Sequence, residues 1–252
     1  MPQHSRFAEL HREELKRLAA TGALAVVPLG ATEQHGPHLA TGTDWFTVDA
    51  LAHEAARLAS HDGLSVVVAP ALPFGSSDHH LIFGGTVSLR TETYLQVLKD
   101  VLRSLAADGF ERAFLLNGHG GNQELAELAV RDAALEFPLQ ATAASYWTIA
   151  WDALVAAGAH HRRNLPGHAG DFETSMMLGL KPELTPGPLP HRDTPADGDP
   201  RPRQRWRAER HGFWQSIDGY TDSPDQADAA RGQEHFAIIA REVARAFLTV
   251  GR

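Results

Sequence analysis

Short apolar runs alternate with amphipathic segments along most of this chain. The apolar runs are rich in β-branched residues and bounded by glycine or proline, which predicts buried strands. The amphipathic segments carry apolar residues three and four positions apart, which predicts helices. The predicted strands are residues 23–29, 64–70, 112–116 and 139–145, and the predicted helices are residues 7–21, 44–60, 91–107, 123–135 and 233–248.

The order of these elements predicts the fold class. Strand, loop and helix follow one another repeatedly, and strands that are apolar throughout are typical of a parallel sheet covered by helices on both faces. We therefore predict an α/β fold of three layers, in which a mainly parallel central sheet lies between two layers of helices (α/β/α). The chain of 252 residues suits a single domain of this kind, residues 1–252.

Unusual polar and aromatic residues follow the predicted strands. Open parallel sheets bind ligands at the carboxyl ends of their strands, so we expect these residues to converge in one crevice. They are Glu33 and His35 after the first strand, His80 after the second, His119 after the third and Trp147 after the fourth. Asp44 falls in the first turn of the next helix, where the helix dipole favours a carboxylate even without a metal ion.

A metal centre accounts for the ionisable residues best. Three carboxylates and two imidazoles could bind two divalent ions if one carboxylate bridges them. The candidate ligands are Glu33, His35, Asp44, His119 and Glu173. Two ions about 3.5–4 Å apart could share a hydroxide that attacks a polarised carbonyl carbon. We expect zinc in such a mixed ligand set, which also accommodates manganese or iron.

Each of these ligands has a simpler explanation when it is taken alone. An isolated Glu33 or Asp44 is more often a helix cap or a turn residue, and an isolated His119 between glycines is more often a hydrogen-bonding loop residue. Glu173, together with Asp171, could cap the helix that follows it. The metal hypothesis therefore depends on their occurrence together at successive strand ends.

Composition narrows the chemistry and the partners. The chain has no cysteine, which excludes thiolate nucleophiles and thiolate-bound zinc, and it has no Gly-x-Ser-x-Gly motif for a serine nucleophile. Its net charge of −8 disfavours nucleic acid and anionic membranes as partners. Because the sequence has neither a membrane-spanning apolar run nor a signal-like N-terminus, we expect a cytoplasmic protein that acts on a small molecule.

The loop at residues 117–122 leaves a function of another class open. It joins a strand to a helix and is rich in glycine, so its backbone N–H groups could hold a phosphate. The fit is poor, because Gln123 stands where the dinucleotide-binding motif has glycine and no P-loop lysine is present. The alternative to an enzyme is a non-catalytic protein that binds an anion or a nucleotide.

Three motifs closely resemble those of the creatininase (creatinine amidohydrolase) family. They are residues 30–38 (GATEQHGPH), 117–122 (NGHGGN) and 168–175 (HAGDFETS). The resemblance implies a creatininase-like fold, a homo-oligomer, specifically a hexamer, and hydrolysis of a cyclic or other amide C–N bond.

The resemblance also implies a division of labour within the site. One ion would be bound by Glu33, Asp44 and His119. The second would be bound by His35 and by Asp44, which bridges the two ions. His168 matches the family's catalytic histidine, and its expected role is proton transfer to the departing nitrogen.

Departures from the family pattern affect the second ion. Creatininase has a metal-binding glutamate at the position where this chain has Gly121. Glu173 is therefore expected to replace that glutamate as a metal ligand. Glu173 and His168 are the two expected catalytic residues.

The substrate is less closely defined by the motifs. A tryptophan that closes over creatinine in the family has no counterpart in residues 162–165, whereas Trp147 matches the other family tryptophan. We expect Trp147, His80 and Gly121 to contact the substrate. Mycofactocin-type precursor peptide peptidase or formamide deformylase activity is the alternative within the family, and the segment 182–210 could be a loop, an oligomer contact or a lid.

Overall fold

A five-stranded parallel sheet forms the centre of the protein, of which the computed structural model describes residues 4–159, 165–192 and 210–251. The strands lie in the order β1-β3-β2-β4-β5, with β1 at His4–Arg6, β2 at Leu24–Leu29, β3 at Val66–Val68, β4 at Arg112–Asn117 and β5 at Gln140–Ser145. The helices in these ranges are α1 (Arg12–Ala20), α2 (Thr43–His61), α3 (Thr91–Ala107), α4 (Gln123–Glu136), α5 (Tyr146–Ile149), α6 (Trp151–Ala156), α7 (Asp171–Leu180), α8 (Phe213–Ser216) and α9 (Ala229–Val250). No helix within them is long and apolar enough to cross a membrane.

Helices cover both faces of the sheet, because alternate residues of a strand point to opposite sides. Leu24 and Val26 of β2 belong to a core cluster that includes the apolar faces of α2 and α9. Ala25 and Val27 belong to a second cluster, which includes those of α3 and α4. The predicted α/β fold, with a parallel sheet between helices, is confirmed.

Strands β2 and β4 lie side by side at the centre of the sheet. They pair in parallel from Ala25 opposite Ala113 to Leu29 opposite Asn117, so both strands end at the same level. The loop that carries Glu33 follows the end of β2, and the loop that carries His119 follows the end of β4. The sheet therefore brings these two loops together.

Several element ends differ from the predicted ones for local reasons. The predicted helix 7–21 is divided into a 3-10 turn, Phe7–Glu9, and α1, because a capping box between His11 and Glu14 starts the α-helix. The last helix begins earlier than predicted, since the Asp228 carboxylate accepts a hydrogen bond from the Arg231 N–H at 2.7 Å. Strand β1 was not predicted, because three residues carry too little pattern.

Candidate metal centre and active site

His35 and Asp44 come together because helix α2 packs directly against the end of strand β2. A Cβ atom on Gly30 would lie 2.4 Å from Cα of Trp45, so a glycine is needed for this close approach. Asp44 lies in the first turn of α2. Its Oδ1 is therefore held 3.1 Å from Nε2 of His35.

The carboxylate of Asp44 lies between two imidazoles. Its Oδ1 faces His35 as described, and its Oδ2 lies 3.1 Å from Nδ1 of His119. All three side chains are buried. This is the position that a carboxylate bridging two cations would take.

Glu33 completes the group around His119. Its Oε1 lies 3.2 Å from Nδ1 of His119 and 3.5 Å from Nδ1 of His168. His80 Nε2 is slightly farther from the same oxygen, at 3.8 Å. The structure therefore gathers the residues after β2 and β4 with two further histidines around one buried carboxylate.

Glu173 reaches the site from the first turn of α7. Its Oε2 lies 3.7 Å from Nε2 of His35 and accepts a hydrogen bond from the Ala169 N–H at 2.6 Å. The second contact explains Glu173 as a residue that stabilises the start of α7. The first places its carboxyl group beside His35 and Asp44, and burial together with the nearby Asp44 raises its pKa to about 8, so a bound cation would favour its charged form.

In their neutral forms, both candidate imidazole ligands would point a lone pair into the site. His35 Nδ1 lies 3.1 Å from the backbone oxygen of Glu33, and His119 Nε2 lies 3.1 Å from the backbone oxygen of Ser76. A carbonyl oxygen can only accept, so these outer nitrogens carry the hydrogens. The inner nitrogens are then free to bind a cation, in the arrangement found for metal-binding histidines.

The buried oxygens in the centre also fit a metal. Both carboxylate oxygens of Glu33 and Oδ2 of Asp44 have no well-aligned hydrogen-bond donor among the described residues, although His119 Nδ1 lies close to both side chains. Burying a carboxylate without partners costs several kcal/mol. A cation would remove that cost.

The electrostatics show the same demand for positive charge. Burial alone would lower the pKa of His35, but Asp44 and Glu173 raise it to about 10. Burial likewise opposes protonation of His119, yet Glu33 and Asp44 raise its pKa well above the ordinary value. Divalent cations would supply this charge and displace the imidazole protons, so the residues present fit a metal centre.

His80 and His168 form a stacked pair beside the carboxylates. Their ring centroids are 4.2 Å apart with an interplanar angle of 20°. Burial lowers the pKa of both imidazoles, to about 3 for His80, so both rings are neutral. Each neutral ring offers one N–H group and one lone pair for hydrogen bonds with a ligand in the site.

Trp214 covers this histidine pair and was not predicted. Its ring centroid lies 4.6 Å from that of His80 and 5.3 Å from that of His168. It belongs to α8, a helix of four residues far from the motifs in sequence. Gln34, which lies between Glu33 and His35 in the first motif, also contacts both histidines and was also missed.

Gly121 and Trp147 have different surroundings. A Cβ atom on Gly121 would lie 2.1 Å from the backbone oxygen of Ser76 and 2.6 Å from Nε2 of His119, so a glutamate does not fit on this backbone. Trp147 packs against the hydrophobic core and edge-on against Tyr146, with ring centroids 5.0 Å apart. Its contact with substrate stays a prediction, and residues 162–164 and 193–209 lie outside the described ranges.

Comparisons with known proteins agree with the motifs. A family model described as creatininase, creatinine amidohydrolase, matches residues 8–247. A mycofactocin precursor peptide peptidase from Mycobacterium tuberculosis (strain CDC 1551 / Oshkosh) is 31% identical over 94% of this chain and 89% of the relative. A creatinine amidohydrolase from Pseudomonas putida is 31% identical over 69% of this chain and 70% of the relative.

A solved structure agrees as well. A mutant creatininase of the Zn–Zn type is 25% identical and superposes with a TM-score of 0.76 over 96% of each chain. The resemblance inferred from the motifs and the predicted class of enzyme, a hydrolase of amide C–N bonds, are confirmed. The chain belongs to the creatininase family.

Proposed function

We propose that this chain hydrolyses an amide bond and uses two divalent cations bound in its active site. One cation is held by Glu33, Asp44 and His119, and the other by His35, Asp44 and Glu173. The observation that carries the proposal is the position of Asp44, whose two oxygens each lie 3.1 Å from a different imidazole nitrogen. Ligand atoms of the second set all lie within 4.8 Å of one another, which supports a common cation.

Zinc is the cation that we assign to both positions, with manganese and iron as alternatives. Carboxylate and imidazole ligands suit all three metals. The Zn–Zn state of the solved creatininase supports zinc. When bound, the two cations would polarise the amide carbonyl and make a water molecule acidic enough to attack it at neutral pH.

His168 is the residue that moves the proton. Its Nε2 lies 2.9 Å from the backbone oxygen of Gln34, which can only accept, so Nε2 carries the hydrogen and Nδ1 carries a lone pair. Nδ1 faces Glu33. It can take a proton from the attacking water as the C–O bond forms and give it to nitrogen as the C–N bond breaks.

The remaining assigned residues hold the substrate and the second cation. Glu173 belongs to the proposed catalytic set through its carboxyl group, which lies beside His35. Gly121, His80 and Trp147 are the proposed substrate contacts. Trp214 narrows the space above the histidines, which supports a small or cyclic amide.

A short peptide is the second candidate substrate. The peptidase from Mycobacterium tuberculosis aligns with nearly the whole of this chain, whereas the creatinine amidohydrolase aligns with about two thirds of it, 69%. Gly121 supports the same candidate, because the loop that would carry creatininase's additional glutamate has no room for one here. Formamides are the third class to be tested.

The assembly and the location follow the family resemblance and the composition. We propose that residues 1–252 form one catalytic domain and that the protein works as a cytoplasmic homo-oligomer, specifically a hexamer. Light scattering after size-exclusion chromatography tests the assembly. A mass near 27.4 kDa, that of one chain, would contradict it.

The function is tested by a substrate screen with a matched pair of variants. Zinc-loaded protein is assayed against creatinine, lactams, formamides and short peptides. We expect turnover of at least one amide, a loss of both metal and activity in Glu33→Gln, and a loss of activity alone in His168→Ala. Metal-free protein that binds a nucleotide tightly and hydrolyses no amide would refute the proposal, and metal loss in His168→Ala would refute the division of roles.

A further inference from the structure

The side-chain amide of Gln34 lies between the two stacked histidines of the site. Its Nε2 is 2.9 Å from Nδ1 of His80 and 3.1 Å from Nε2 of His168. All three side chains are buried. A buried amide nitrogen has two hydrogens to give, so its neighbours must share them in a defined way.

Two backbone groups fix the orientation of this amide. The Gly36 N–H donates to Oε1 of Gln34 at 2.9 Å, and Nε2 of Gln34 donates to the backbone oxygen of Gly219 at 2.8 Å. The approach of Gly219 requires glycine, because its φ is +73° and a Cβ atom would lie 2.8 Å from Nε2. One amide hydrogen is therefore committed to Gly219.

The second amide hydrogen goes to His80. Nε2 of His168 must donate to the backbone oxygen of Gln34, 2.9 Å away, so it cannot also accept from the amide. Nδ1 of His80 is the remaining acceptor. In the neutral His80 ring the hydrogen must then lie on Nε2.

The two rings consequently present opposite groups to the same space. His80 Nε2 and His168 Nδ1 lie 3.8 Å and 3.5 Å from Oε1 of Glu33. His80 turns an N–H toward that space, and His168 turns a lone pair toward it. His80 Nε2 has no hydrogen-bond partner among the described residues, so this N–H is available to a ligand.

We propose that Gln34 is a positioning residue that holds His80 as a hydrogen-bond donor to the substrate. The acceptor is the carbonyl oxygen of the amide, which gains negative charge when water attacks the carbon. With the other tautomer, His80 would turn a lone pair toward that oxygen and repel it. This inference rests on the proposed amide hydrolysis and adds to it a residue that fixes which imidazole donates.

The tautomers can be observed directly by solid-state ¹⁵N NMR of the zinc-loaded full chain labelled at histidine. The His80 signals are assigned by their disappearance in His80→Asn. Wild-type protein is expected to show His80 protonated at Nε2 and His168 protonated at Nε2. Gln34→Met keeps the length of the side chain but removes both hydrogens, so His80 is expected to gain the Nδ1-protonated form.

Kinetics provide the second measurement. Loss of one preorganised donor to an oxyanion lowers kcat by about 10²–10³-fold. Gln34→Met is expected to lower kcat toward that range, with KM and zinc content unchanged. Gln96→Met, at an exposed position of α3, makes the same change away from the site and is expected to leave kcat and the His80 signals as they are.

The outcomes separate this inference from the function on which it rests. His80 protonated at Nδ1 in wild-type protein would overturn the inference even if the enzyme is active, and that result does not depend on the folding of Gln34→Met. An unchanged His80 signal in folded Gln34→Met would also overturn it. The expected tautomers in a protein that hydrolyses no amide would support the assignment of Gln34 and overturn the proposed function.

Discussion

The replacement Glu173→Gln tests whether this carboxylate binds a cation or only starts a helix. The Ala169 N–H donates to Oε2 of Glu173 at 2.6 Å, and the amide oxygen of glutamine can accept the same hydrogen bond. The start of α7 is therefore expected to survive the change. What disappears is the carboxyl group that faces Nε2 of His35 at 3.7 Å, which would carry a negative charge beside a bound cation.

The size of the effect follows from the charge that is removed. A pair of unit charges about 4 Å apart is worth about 4 kcal/mol at an effective dielectric constant of about 20. Since about 1.4 kcal/mol is a tenfold change in affinity, the cation beside His35 should bind about 10³-fold more weakly. The cation held by Glu33, Asp44 and His119 should keep most of its affinity.

Competition with a chromophoric zinc chelator measures this result. Wild-type protein is expected to bind two zinc ions per chain and Glu173→Gln one, with activity lost in parallel. Glu92→Gln is the matched control, because Glu92 also lies in the first turn of a long helix, α3. Helix-dipole effects of about 0.3–1 kcal/mol then appear in both variants. Two unchanged binding steps in Glu173→Gln would refute Glu173 as a ligand.

Three further predictions concern packing, pH and the cover of the site. Gly121→Ala should displace His119 and cost about 1–3 kcal/mol of folding free energy, together with zinc affinity, because its Cβ has no room. Thermal unfolding and chelator competition measure both effects, and Gly120→Ala, with nothing within 4 Å, should change neither. Burial lowers the pKa of His38 from 6.5 to about 4, so as the pH falls the unfolded chain takes up a proton at His38 before the folded chain does. Metal-free protein should therefore lose stability as the pH falls from about 6.5 to about 4. His38→Gln should reduce this loss, which urea titrations at several pH values measure. An unfolding free energy that falls equally steeply with pH in the variant and in wild-type protein would show that His38 does not cause the loss. Trp214→Ala should raise KM by up to about tenfold at constant zinc content, because an aromatic contact contributes about 0.5–1.5 kcal/mol, and an unchanged KM would exclude Trp214 from the substrate wall.

Features set by local sequence were predictable. The strands β2 and β4 are short apolar runs that end at glycine-containing loops, and their residues point alternately into two cores. Because adjacent parallel strands end at the same level, the meeting of Glu33 with His119 follows from the order of the elements. The family resemblance added the catalytic role of His168 and the role of Glu173 as a replacement ligand, which no strand end would have identified.

Features set by distant parts of the chain were not predictable in the same way. Trp214 lies on a helix of four residues with no periodic pattern, yet it covers His80 and His168. Gln34 is uncharged and its residue type does not distinguish it from other loop residues, although its amide contacts both histidines. Their roles depend on loops that return to the site from far along the sequence, and that return leaves no local signal.

The proposed bridging role of Asp44 is tested most directly by anomalous diffraction from crystals of the zinc-loaded protein. We expect two zinc peaks about 3.5–4 Å apart, one on each side of the Asp44 carboxylate. The first should lie against Glu33 and His119, and the second against His35 and Glu173. A single peak, or zinc bound away from Asp44, would contradict the proposal of a two-metal amidohydrolase.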